Sequence, residues 1–153
     1  MSYKKNSFIL ILFLLSLSCS KQFNLEKISP FVFEESYYQS WIAGVRGGGS
    51  GINIYLTLEV SVNKNIQIEG IYFKEKYCRL LFQGDNKYLG NIITNQNKET
   101  NPLKNSIVEV EKGNKPPPFN LEGNDAVFVY LENKIKRYVK LTLNKKEIQS
   151  LPM

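Results

Sequence analysis

Histidine is absent from this chain of 153 residues. Its absence excludes the Ser–His and Cys–His nucleophile pairs, the most common general base and most catalytic zinc sites. Glu59 and Glu69 do not replace it, because both fall on the open faces of predicted strands, where Lys136 or Lys140 would pair with them. We therefore expect a protein that is not an enzyme and that holds no metal and no cofactor.

Cysteine is scarce, and Cys19 and Cys78 are the only two in the chain. Cys78 lies in the largely apolar run of residues 77–82, which predicts a buried and unreactive thiol. If Cys19 carries a lipid, Cys78 has no partner and no disulfide can form within the chain.

Long apolar runs are also missing. The most apolar stretch, residues 8–17, has ten residues, whereas a helix that spans a bilayer needs about twenty. It follows Lys4 and Lys5 and precedes small residues, which is the three-part pattern of a cleavable signal peptide. We predict a signal peptide over residues 1–18, a tether over residues 19–36 and a single domain over residues 37–153.

The sequence Leu-Ser-Leu-Ser-Cys at residues 15–19 resembles the lipobox of bacterial lipoproteins, although that family usually has leucine where this chain has Ser16. The resemblance implies that Cys19 is lipidated, begins the mature chain and holds the protein on a membrane. Ser20 follows the cysteine, in place of the aspartate that resembles an inner-membrane retention signal in enteric bacteria. We therefore expect the outer membrane, on its periplasmic or its surface face. The alternative is an ordinary secretory signal that leaves a soluble protein with two thiols.

Basic residues outnumber acidic residues by 20 to 14, and removal of residues 1–18 leaves 18 against 14, a net charge of +4. The two signs are interspersed, so a solvated surface is the first interpretation. A weak attraction to an anionic membrane or polysaccharide is the second. No dense Lys/Arg run occurs, and we expect no nucleic-acid partner.

Alternating apolar and polar residues dominate the remaining sequence and predict strands. The clearest alternation predicts two hairpins with polar turns: residues 52–62 with 66–73, and residues 126–132 with 135–143. Four further strands are predicted, at residues 41–46, 78–82, 88–94 and 106–111. About eight short strands and no convincing helix predict an all-β fold, an antiparallel β-sandwich of immunoglobulin-like type, with a small barrel as the alternative.

A glycine-rich segment occupies residues 46–51 and begins with Arg46. Glycine permits positive φ and close backbone approach, so successive amides here could bind an anion whose charge Arg46 would pair. The segment lacks the lysine and the helix of a phosphate-binding P-loop. A turn between two strands is the first interpretation, and a loop that contacts a ligand is the second.

Aromatic residues cluster just before the glycine segment. Exposed rings can stack on sugars or seat a peptide, but a small β-protein with nine Tyr and nine Phe also needs several of them in its core. The candidate ligand-binding residues are therefore aromatic residues and loop residues: Tyr37, Tyr38, Trp41, Arg46, Gly47, Gly48, Gly49 and Ser50.

Residues 37–51, 70–73 and 124–141 are similar to segments of small flavobacterial (Bacteroidetes) lipoproteins of uncharacterised function. The resemblance brings no activity, cofactor or catalytic residue, but it implies that the glycine segment belongs to the domain's design. Two hypotheses follow: a non-catalytic module that binds an envelope protein, peptide or glycan, and a structural accessory subunit of an envelope assembly. Clustered aromatics beside Arg46 would favour the first, and a contiguous apolar patch on the outward face would favour the second.

Overall fold

A computed structural model describes residues 23–98 and 118–148. These residues form an all-β structure, which confirms the predicted fold class. Eight strands are present: β1 (Phe33–Ile42), β2 (Gly48–Leu58), β3 (Ile66–Phe73), β4 (Lys76–Gly84), β5 (Lys87–Lys98), β6 (Asp125–Glu132), β7 (Ile135–Thr142) and β8 (Asn144–Lys145). The signal peptide, the lipidation residue Cys19 and the strand predicted at residues 106–111 lie outside the described residues.

The strands form one sheet in the order β7-β6-β3-β4-β5-β2-β1-β8, mostly antiparallel and curled into a half-barrel. An immunoglobulin-like sandwich needs two facing sheets, so that finer prediction does not describe this sheet. The curl has a local origin in β4. Residues Lys76 to Arg79 pair with β3, whereas Leu80 to Gly84 pair with β5, so β4 changes partner halfway along its length.

The predicted hairpin between residues 52–62 and 66–73 is wrong. The two strands form, as β2 and β3, but β4 and β5 lie between them in the sheet. Their apolar alternation gives each strand a buried face without specifying its neighbour. The tighter turns that follow β3 and β4 decide the pairing instead.

Three turns, including those after β3 and β4, have two residues each, and both residues of each turn have positive φ. This is the type I′ geometry whose twist matches that of antiparallel strands. The three turns are Lys74-Glu75 after β3, Asp85-Asn86 after β4 and Asn133-Lys134 after β6. The hairpin predicted at Asn133-Lys134 is confirmed.

A single residue, Leu143, connects the two edges of the sheet. β7 lies at one edge and β8 at the other, yet only Leu143 separates them in the chain, and its side chain is fully buried. Ser36 Oγ, in β1, donates to Thr142 O, in β7, at 3.2 Å. The chain therefore brings the two edges of the half-barrel together at Leu143, and β1 contacts the end of β7 there.

The concave side of the sheet holds the main core. β2 contributes its alternate residues Ile52, Ile54 and Leu56, and β6 contributes Ala126, Phe128 and Tyr130. β6 is buried on its outer face too, where a second cluster surrounds it: Val127, Val129, Tyr138, Tyr72, Tyr77, Phe119 and Leu121. Within the described ranges, no helix has the length and apolar character needed to cross a bilayer.

The residues before β1 pack on the domain. β1 begins at Phe33, eight residues earlier than the predicted strand at residues 41–46 and inside the predicted tether. Phe31 lies 4.8 Å from the Tyr130 ring centroid, and Glu26 N donates to Tyr138 O at 2.8 Å. Aromatic burial extends the ordered chain because each docked ring removes a large apolar area from water.

Candidate functional site

The glycine segment forms the turn between β1 and β2. Ala43 N donates to Gly49 O at 3.0 Å, and Gly48 N donates to Val45 O at 3.1 Å. Gly47 and Gly49 have φ values of 79° and 84°, which residues with a Cβ rarely adopt. The turn geometry therefore favours glycine at these two positions.

Asn97 of β5 holds this turn from the neighbouring strand. Its Nδ2 donates to Ala43 O and to Val45 O, both at 2.9 Å, and its Oδ1 accepts from Gly47 N at 3.2 Å. Asn97 itself has a φ of 53°, a region that asparagine tolerates better than most residues. Sequence reasoning missed this residue, and the tolerance of asparagine for positive φ was its only available signal.

Two backbone amides of the turn that could have bound an anion already have hydrogen-bond partners. Gly47 N and Gly48 N are taken by Asn97 Oδ1 and Val45 O, so neither amide is free to bind an anion. Arg46, which directly precedes them in the chain, is exposed. The geometry favours a structural turn that presents one exposed arginine.

Two of the candidate ligand residues, Tyr38 and Ser50, are buried, with 3% and 1% of their surfaces exposed. Tyr38 Oη donates to Asn124 Oδ1 at 3.1 Å. Ser50 Oγ lies 2.5 Å from Thr94 Oγ1 and donates to Gln96 O at 2.6 Å. Strand alternation turns Tyr38 inward, and these two residues belong to the interior rather than to a ligand surface.

Trp41 lies flat across Gly51, its partner on β2. A Cβ at Gly51 would stand 2.7 Å from Cε2, Cζ2 and Nε1 of the indole, so the ring occupies the space that a side chain would fill. Gly51 is buried beneath the ring, whereas Trp41 is partly exposed. One face of the indole covers the sheet, and the other points away from it.

The outer surface of β1, β2 and β5, here called the outward face, carries three rows of side chains. Cross-strand register defines an aromatic and apolar row of Tyr37, Tyr55 and Leu89, an amide row of Gln39, Asn53 and Asn91, and a tryptophan row of Trp41, Gly51 and Ile93. Neighbouring rows are two residues apart along each strand, or about 7 Å. Asn91 Nδ2 donates to Asn53 Oδ1 at 2.7 Å, which fixes the amide row.

The two aromatic ends of the outward face differ in what they offer. Tyr37 is stacked on Tyr55, with ring centroids 4.8 Å apart and an interplanar angle of 16°. Lys146 Nζ lies 3.8 Å from the Tyr37 ring centroid and 3.0 Å from Glu35 Oε1. Tyr37 therefore has neighbours on both sides of its ring, so the indole of Trp41 is the flat surface open to a ligand.

Carboxylates on the outer surface are held by lysines. Glu69 Oε2 lies 2.6 Å from Lys136 Nζ, which confirms the predicted pairing of these two residues. Asp125 Oδ2 lies 2.6 Å from Lys140 Nζ, and the hydrogen bond from Lys140 lowers the pKa of Asp125. Glu59 does not face Glu69, because β2 and β3 are not neighbours. Glu69 and Asp125 are therefore held in cross-strand ion pairs on the outer surface of the sheet.

No cluster of three or more Cys, Asp and Glu side chains that could hold a metal ion occurs in residues 23–98 and 118–148. No protein-family model, no curated protein and no solved structure matches this chain. The function is therefore inferred from the chemistry of the outward face and of the glycine turn beside it.

Proposed function

We propose that the mature chain is a non-catalytic binding module, lipid-anchored through Cys19 to the outer membrane, that binds an envelope glycan on the outward face of β1, β2 and β5. The anchor and the location follow from the signal and lipobox pattern at residues 1–19. The curl of one sheet into a half-barrel around the core supports the small-barrel alternative over the sandwich.

The flat indole of Trp41 beside the amide row carries this proposal. A sugar ring has apolar C–H faces and polar hydroxyl edges. An open indole suits the apolar face, and side-chain amides, which both donate and accept, suit hydroxyl groups. Trp41 and the pair Asn53–Asn91 supply both kinds of contact within about 7 Å of each other.

The structural accessory subunit is the second candidate, and exposed Leu81 and Ile93 favour it. Leu81 pairs with Leu89 in the apolar row, whereas Ile93 lies in the tryptophan row. The amide row separates the two, so the apolar surface is interrupted where a permanent protein interface would need it to be continuous. This arrangement favours the glycan-binding module.

The test uses the single tryptophan of the chain as its own reporter. Purified full-length protein is titrated with glycans from its own cell envelope, and the Trp41 emission is followed. We expect saturable quenching or a blue shift. We expect Trp41→Ala to weaken binding, measured by calorimetry, by at least about tenfold, as for a buried aromatic anchor.

Phe82→Ala is the matched control, because Phe82 is an exposed aromatic residue at the far end of β4. This variant should bind like the wild type. Gly51→Ala keeps the indole but displaces it from the sheet, and it should weaken binding as well. Unchanged affinity in Trp41→Ala, or co-purification in a fixed stoichiometric complex without any glycan affinity, contradicts the proposal.

A further inference from the structure

Four large apolar side chains are exposed at one end of the half-barrel, the apolar rim: Val32, Val60, Phe82 and Ile135, with 60–66% of their surfaces exposed. Each lies where the chain enters or leaves a strand at the same end of the sheet. This end carries the start of β1, the end of β2, the β4–β5 turn and the β6–β7 turn. The glycine turn lies at the opposite end.

Hydrogen bonds hold part of the apolar rim together. Glu59 N donates to Val32 O at 3.0 Å, which places Val32 beside the segment that contains Val60. Ser61 Oγ donates to Asn86 Oδ1 at 2.9 Å, which ties that segment to the β4–β5 turn. Val32, Val60 and the hairpin that carries Phe82 therefore form one connected part of the surface.

Only a short segment connects Cys19, the predicted anchor, to the part of the chain that packs on the domain. Phe23 packs against Tyr138 and Phe119, with ring centroids 5.5 and 6.0 Å away. Three residues separate Cys19 from Phe23, and the four backbone steps between them span at most about 14 Å. A lipid on Cys19 would therefore hold the domain against the bilayer surface.

We propose that the apolar rim docks into the bilayer that holds the lipid of Cys19. This inference depends on the lipid anchoring in the proposed function, but it does not depend on the glycan. The apolar rim would add a second contact with the bilayer to the lipid on Cys19. Lys64, Lys87 and Lys134 lie at this end together with Glu59, Asp85 and Glu132, so the two signs balance. Apolar insertion, rather than attraction to anionic lipid, therefore carries the contact.

Docking at the apolar rim orients the domain with its strands upright on the membrane. Trp41 pairs with Gly51, seven residues along β2 from Leu58 at the rim. That separation is about 24 Å at the rise of an extended strand. The outward face then stands clear of the lipid headgroups, and the glycine turn lies at the membrane-distal end.

The lipidated mature protein, which begins at Cys19, tests this orientation in phosphatidylcholine vesicles. An environment-sensitive fluorophore is attached at Val60→Cys in one sample and at Val45→Cys in the glycine turn in the other. Both valines are exposed, and Cys78 is buried, so the label reports the introduced thiol. Quenching by nitroxides on the lipid acyl chains should be roughly threefold or more stronger at residue 60 than at residue 45.

Lys64→Cys provides a second position at the same end if Val60→Cys disturbs folding. Equal quenching at both ends, or stronger quenching at residue 45, overturns the docking and leaves the anchor intact. Failure of both labelled proteins to float with vesicles overturns the lipid anchor itself. A strong difference that appears only with anionic lipid overturns the apolar contact proposed here.

Discussion

Cys78 lies at the point where β4 changes partner, and its thiol is buried. Burial raises the pKa of Cys78 from 9.0 to about 12, and a hydrogen bond with the backbone of Asn91 offsets part of that rise. Burial, together with the charge of Glu69, raises the pKa of Tyr77 from 10.0 to about 12. Both groups therefore keep their protons in the folded protein at pH values where the unfolded chain begins to lose them.

The raised pKa of Cys78 predicts a loss of stability in alkaline solution. Its contribution is complete below pH 9 and disappears as the pH rises towards 12, because only the unfolded state releases the proton in that window. The free energy of unfolding should fall by up to about 1.4 kcal/mol per pH unit for one such group. Urea unfolding at pH 8 and pH 10.5 measures this slope.

In Cys78→Ala the free energy of unfolding should fall less steeply over the same pH range, although Tyr77 will still make it fall. Ser61→Ala, at an exposed hydroxyl, should keep the wild-type slope. The same slope in Cys78→Ala and the wild type would show that the thiol contributes nothing to the alkaline loss.

At the scale of elements, β5 organises the turn between β1 and β2. The register of β2 against β5 shifts between Gly48 and Ser50, and the extra residues of β5 place Asn97 beside the turn. The glycine turn is thus a joint product of two sequence segments. Its shape depends on a side chain about fifty residues away.

Asn97→Ala removes the three hydrogen bonds that hold the turn. We expect the free energy of unfolding to fall by about 1–3 kcal/mol, because one neutral hydrogen bond contributes about 1 kcal/mol and the turn is only partly buried. Asn95→Ala, at an exposed position of the same strand, is the matched control and should be neutral. Equal stability of the two variants in urea unfolding would refute the role of Asn97.

At the scale of the whole molecule, Leu143 joins the two edges of one sheet. Its backbone N–H donates to Asn124 O at 2.9 Å, and its side chain lies in the main core. A curled sheet with open edges would expose both the core and unpaired backbone groups. Closure through one buried residue therefore protects the interior of the half-barrel.

Leu143→Ala should lower the free energy of unfolding by about 2–5 kcal/mol, the range for deletion of a fully buried leucine side chain. Ile148→Ala shortens another aliphatic residue nearby in the chain, but that side chain is 52% exposed and the change should be nearly neutral. Thermal unfolding followed by circular dichroism compares the two. A loss below about 1 kcal/mol in Leu143→Ala would mean that its side chain is not essential to the closure.

Among the described residues, the sequence by itself determined the positions of the long strands except β1, and it predicted the Asn133-Lys134 hairpin and the buried thiol of Cys78. These features are local: apolar alternation selects a buried face, and two polar residues between strands select a tight turn. The outward position of Trp41 is also encoded in its alternation with Tyr38, although sequence reasoning placed both in one candidate ligand set.

Only the tertiary structure decided how the strands pair, and with that pairing it decided the site. The two segments that looked like a hairpin became β2 and β3, which are separated by two strands. Cross-strand register placed Trp41 on Gly51 and Asn53 against Asn91. Alternation cannot specify such partners, because every strand with one apolar face satisfies it equally. The choice among neighbours came from the tight I′ turns, the change of partner along β4 and the closure at Leu143.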